Sequence, residues 1–115
     1  VITMAGREVY RFAVRIQPMA CRAALEAANL TIEDVDWFVP HQANVRIIDA
    51  AADRLGLPPE KVLLNLNKYG NTSAASIPIM MAEAVADGRI KRDDVVLTLG
   101  FGAGLTWGAA VLRWY

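Results

Sequence analysis

The chain has 115 residues, 55% of them hydrophobic, which is one domain's worth of material and enough to build a core. Twelve Lys and Arg balance twelve Asp and Glu, so there is neither a basic field to draw in nucleic acid nor an acidic tail. Apolar runs stop short of the roughly 18 to 20 residues of a membrane span, and the single cysteine, Cys21, excludes an internal disulfide or a multi-cysteine zinc site. The expectation is a soluble protein of the reducing cytoplasm.

The start, "VITMAGREVY", has no initiator Met and no targeting pattern, and is expected to be the middle of something longer. Between Gly6 and Asn29 there is no glycine, and Val9, Phe12, Ile16, Met19, Ala23 and Ala27 recur at steps of three or four; this predicts a long helix, bent at Pro18. "ANLTIEDV" supplies its stop, and "DVDWFVP" reads as a short buried strand ended by Pro40. "NVRIIDAAADRLG" puts Val45, Ile48, Ala52 and Leu55 on one helical face and stops at Gly56. "LPPEKVLLNL" is a connection with room for one short strand. Thr72 or Ser73 can cap a helix over "AASIPIMMAEAVADG", with Pro78 in its first turns and Gly88 as its stop. "DDVVLTLGFGAG" is a strand running into a glycine loop, and "LTWGAAVLRWY" a last strand pairing with it as a hairpin. Strands alternating with helices over 1–115 predict one layered α/β unit with a mixed sheet packed against helices.

In such sheets ligands gather at the carboxyl ends of strands and at the helix starts beside them. Three segments meet that condition. His41, the only histidine, follows "DWFV" and precedes a helix; Asn71 stands in "YGNTSAAS" ahead of another; "GFGAG" follows "VVLTL". Each alone has a structural explanation, as a strand-end histidine, a turn asparagine or a hairpin loop. Together they suit one task. An imidazole and a carboxamide can both donate to one carbonyl oxygen, stabilising the charge that develops when it becomes an enolate or tetrahedral adduct. No Asp or Glu lies within "VPHQAN", "YGNTSAAS" or "GFGAG", where a carboxylate would repel that charge.

The segments "VPHQANVRI", "YGNTSAASIP" and "GFGAGLTWGAAVLRW", with "MAGREVYRFAV" at the start, resemble the C-terminal half of the β-ketoacyl-acyl carrier protein synthase III family, of thiolase-like fold. The resemblance covers essentially the whole chain. Elongating synthases would need a second histidine, biosynthetic thiolases a late second cysteine, and chalcone-synthase-like enzymes differ around the histidine. It implies a layered thiolase-like half-domain and a decarboxylative Claisen condensation of acyl-coenzyme A with malonyl carrier protein, starting fatty-acid or polyketide synthesis. By it, His41 and Asn71 bind the malonyl thioester oxygen and Asn44 contacts the pantetheine arm. The backbone amide of Ala103, where many members have glycine, completes an oxyanion hole. Arg46, with Gln42, Arg11 and Arg54, docks the acidic carrier protein, although a solvated charged face explains such arginines equally well.

The resemblance also implies a homodimer of the full enzyme. No metal and no cofactor is implied beyond coenzyme A and the carrier's phosphopantetheine as substrate carriers. The family's nucleophilic cysteine belongs to an N-terminal half that this chain lacks. Cys21, within the first helix among Met19, Ala20, Ala23 and Ala24, is expected to be a core residue, so the isolated chain should be inactive. A papain-like Cys, His, Asn hydrolase fails on the same ground. The remaining alternative is a non-catalytic interaction or dimerisation module of the same fold.

Overall fold

Apolar residues at three- and four-residue steps build α1 (Gly6–Ala27), which continues as helix through a buried Pro18. The computed structural model describes residues 6–41, 45–63, 76–102 and 106–114. Asn29, at φ 60°, ends α1 in the left-handed region, and the Leu30 amide folds back onto the Leu25 carbonyl at 2.9 Å. A 3-10 turn, Ile32–Asp34, leads into β1 (Trp37–Pro40). α2 (Val45–Leu55) stops where expected: Gly56 has φ 77°, and the Leu57 amide reaches the Ala52 carbonyl at 2.9 Å while its side chain returns to the core. A 3-10 turn, Pro59–Lys61, begins the connection with room for one short strand; Val62 makes a parallel bridge to Phe38 and the Leu63 amide reaches the Phe38 carbonyl at 2.9 Å, and residues 64–66 lie outside the described residues. α3 (Ser76–Ala86) ends before Gly88, also left-handed at φ 84°. Its caps at Thr72 and Ser73 lie outside the described residues.

β2 (Val95–Gly102) is central, parallel to β1 and antiparallel to β3 (Thr106–Arg113), so the sheet is mixed and the last two strands pair as a hairpin. Strand alternation sorts the core into two layers. Phe38, Leu97 and Leu99 join Cys21 and Leu25 of α1 with Ala52 and Leu55 of α2. On the other face, Val39 and Val96 join Met80 and Ala84 of α3 with Leu63 and Ile90. The result is helices, sheet, helix.

Register is fixed at the amino edge of the sheet by two carboxylates. Asp36 donates its amide to the Val95 carbonyl at 2.9 Å and accepts the Val95 amide on Oδ2 at 2.8 Å. Asp94 Oδ2 accepts both Trp37 Nε1 at 3.0 Å and the Lys91 amide at 2.9 Å. With β1 and β2 locked there, their carboxyl ends must emerge side by side. None of the described helices is long and apolar enough to cross a membrane.

Candidate active site

His41 is the first residue past β1, and its backbone amide donates to the Leu99 carbonyl at 2.8 Å. Alternation along a parallel ladder turns the nitrogen of Pro40 away from β2, so the proline ends the strand without costing this pair a hydrogen bond. The half-buried His41 thus stands beside the carboxyl end of β2, which runs on to Gly102. α3 arrives at the same edge. Its C-terminus connects through residues 87–94 to the start of β2, so its N-terminus, Ser76, must lie at the carboxyl end of the sheet. Three features therefore lie along one edge: His41, the N-terminus of α3 at Ser76, and the carboxyl end of β2 at Gly102. Asn71, Gln42, Asn44 and Ala103 themselves lie outside the described residues.

The arginines separate into two places. α1 begins at this same edge, since Phe12 meets Trp107 with ring centroids 5.3 Å apart, and Trp107 pairs with Phe101 near the end of β2. α1 and α2 both run from the carboxyl edge towards the amino edge. Arg11 is exposed in the first half of α1 and Arg46 in the first turn of α2, both near the His41 end. Arg54 is exposed in the last turn of α2, eight residues and about 12 Å further down. Its carbonyl accepts Nη2 of Arg22 at 2.9 Å, a cation closing a helix C-terminus.

Cys21 is a core residue with no exposed surface. Burial raises its thiol from 9.0 to about 12, against a small opposing pull from Arg22, so at neutral pH it carries almost no thiolate. A surface groove lined by Arg22, Glu26, Asn29 and Glu33 opens at the C-terminal end of α1. That is the opposite end from His41, and nothing in it suits the chemistry of the edge.

One feature escaped sequence reasoning. Arg15 lies with its guanidinium carbon 5.9 Å from the Phe12 ring centre, and Phe12 meets Trp107 edge-on at 68°. In the sequence Arg15 stands only as the third member of an i, i+4, i+8 series with Arg7 and Arg11. No local pattern joins Phe12 to a tryptophan near the other end of the chain.

Residues 25–114 match the family described as 3-oxoacyl-[acyl-carrier-protein (ACP)] synthase III C terminal. The beta-ketoacyl-[acyl-carrier-protein] synthase III of Microcystis aeruginosa is 58% identical over 98% of this chain and 34% of its own length. That of Staphylococcus saprophyticus is 57% identical over 98% and 36%. Among solved structures, the synthase III of Thermus thermophilus superposes with a TM-score of 0.94 at 60% identity, over 98% of this chain and 35% of that one. The Aquifex aeolicus enzyme gives 0.95 at 53%, over 98% and 37%. The chain spans about a third of the length of these relatives, and the thiolase-like α/β fold expected from its motifs is theirs. It belongs to the C-terminal domain family of 3-oxoacyl-[acyl-carrier-protein] synthase III.

Proposed function

We propose that this chain supplies the enolate-stabilising half of a synthase III active site. In the full reaction a cysteine thiolate from the remainder of the enzyme attacks the thioester carbon of acyl-coenzyme A, and coenzyme A leaves as its thiol. Malonyl carrier protein then loses carbon dioxide. The electron pair of the broken C–C bond passes into the thioester as an enolate, whose carbon attacks the acyl-cysteine carbonyl; the tetrahedral adduct collapses and expels the thiolate.

His41 and Asn71 donate to the malonyl thioester oxygen, where charge builds only as carbon dioxide departs, so their contribution falls on the transition state. The amide of Ala103 receives the oxyanion of the acyl-cysteine step. Asn44 holds the pantetheine arm, and Arg46, with Arg11, Gln42 and Arg54, meets the acidic carrier protein. The full enzyme works as a homodimer in the cytoplasm.

The observation carrying this reading is the shared edge: His41, the N-terminus of α3 and the end of β2 all reach the carboxyl side of the sheet. Alternation extended one residue past β1 also gives His41 the side of Val39, the face that α3 covers. An approach to α3 bearing Asn71 suits that face.

The test joins this chain behind the amino-terminal two-thirds of the Thermus thermophilus relative and assays β-ketoacyl carrier protein. The joined enzyme should form product from acyl-coenzyme A and malonyl carrier protein, and the 115-residue chain alone none. A folded joined enzyme that loads its acyl group but never condenses it would end the proposal.

A further inference from the structure

Arg15 is an exposed cation of α1 held by an aromatic ring. Its guanidinium lies over the face of Phe12, where the negative quadrupole of the ring attracts it, and Phe12 is braced in turn by the edge-on ring of Trp107. Trp107 is 47% exposed, so the stack is part of the surface of this chain. It lies at the carboxyl edge, on the second residue of β3, at the same end as His41. Arg11 is exposed one helical turn before Arg15 on the same side of α1. A free arginine side chain loses much rotamer freedom when it docks on a partner; one already laid on a ring loses less.

We propose that Arg15, held by the Phe12 and Trp107 stack, is a docking cation for the acidic carrier protein, and that the rings set its strength by positioning it. The inference rests on the reading of the carrier as donor of the malonyl unit. It extends the docking face along α1 from Arg11, and it assigns the exposed tryptophan of β3 a purpose. A planar guanidinium can rest on Phe12 and still direct its N–H groups to a carboxylate, which an ammonium cannot do as well.

The experiment uses the joined enzyme described above, with Arg15→Gln, Arg15→Lys and Phe12→Leu. Binding of fluorescently labelled carrier protein is titrated by anisotropy at low and high ionic strength, and KM is measured with malonyl carrier protein and with malonyl-pantetheine, which lacks the protein. Arg15→Gln should weaken carrier binding about threefold to tenfold at low salt, with the difference shrinking at high salt. Phe12→Leu, which removes no charge, should weaken it about twofold to fivefold. Arg15→Lys should fall between Arg15→Gln and the parent. KM for malonyl-pantetheine and kcat should stay at parent values.

Unchanged carrier affinity in Arg15→Gln overturns the proposal, as does an equal loss with malonyl-pantetheine. If Arg15→Lys binds like the parent, the stack has no positioning role and that half fails. The titration needs no turnover. A joined enzyme that binds carrier through Arg15 but makes no product would refute the proposed reaction and leave the docking residue standing.

Discussion

The His41 amide and the Leu99 carbonyl, 2.8 Å apart, hold the first residue beyond β1 against the central strand. The backbone position of His41 is therefore set by sheet register. Register in turn is held at the other end of the strands by Asp36 and Asp94. A site built this way inherits the rigidity of the sheet.

On the roles proposed above, His41→Ala and Asn71→Ala, each made in the joined enzyme, would remove a donor that acts on developing charge. Each should lower kcat on the order of 10²-fold or more while KM for malonyl carrier protein moves little. Steady-state kinetics over a malonyl carrier series checks this. A rise in KM alone for Asn71→Ala would reverse its assigned role.

Arg46→Ala and Arg54→Ala should differ in size. Arg46 lies at the His41 end of α2 and Arg54 at the far end, about 12 Å away. Arg46→Ala should raise KM for the carrier-linked donor, with the effect fading as salt rises, and Arg54→Ala should raise it less. The paired salt series decides it, and equal effects would mean that the carrier lies along the whole helix.

Cys21 gives a pH signature. Its thiol is raised from 9.0 to about 12 in the folded protein, so above pH 9 the unfolded chain releases a proton that the folded chain keeps. Stability contributed by the protonated thiol is complete below about pH 9 and declines by about 1.4 kcal/mol per pH unit up to about pH 12. Thermal melts of the joined enzyme and its Cys21→Ala variant should therefore converge as pH rises from 8.5 to 11, as roughly half to three-quarters of that interval is crossed. Activity at pH 7.5 should survive Cys21→Ala, because a thiol buried in the core and kept protonated at that pH is a poor nucleophile; abolished acyl loading would show otherwise.

Much of this architecture was legible because its signals are local. The apolar period of α1 and α2, the left-handed stops at Asn29, Gly56 and Gly88, and the proline closing β1 each act within a few residues. The hairpin of β2 and β3 could be read from two apolar runs around "GFGAG". Long-range facts were harder. That β1 lies directly beside β2 depends on Asp36 meeting Val95, and nothing near either residue announces it. In the connection "LPPEKVLLNL", Pro58 and Pro59 suit the 3-10 turn that the structure has, whereas the bridge of Val62 to Phe38 is a long-range pairing that no local pattern announces. At the site, motif and resemblance singled out His41 and the arginines of α2. Arg54's distance from the edge and Arg15's aromatic support emerged only when helices and strands were assembled.

Parity along the sheet has a last consequence. Val95 and Leu99 direct their carbonyls to β1, and Trp114 donates its amide to Asp94 at 2.9 Å, so the even-numbered backbone groups of β3 turn towards β2. The odd set, at Trp107, Ala109, Val111 and Arg113, faces outward, and among the described residues no strand pairs with it. Eight residues of extended backbone with a single formal charge, Arg113, and no proline form a poorly guarded margin. Handled by itself, this polypeptide is colloidally exposed along that margin: two molecules meeting there can continue each other's ladder.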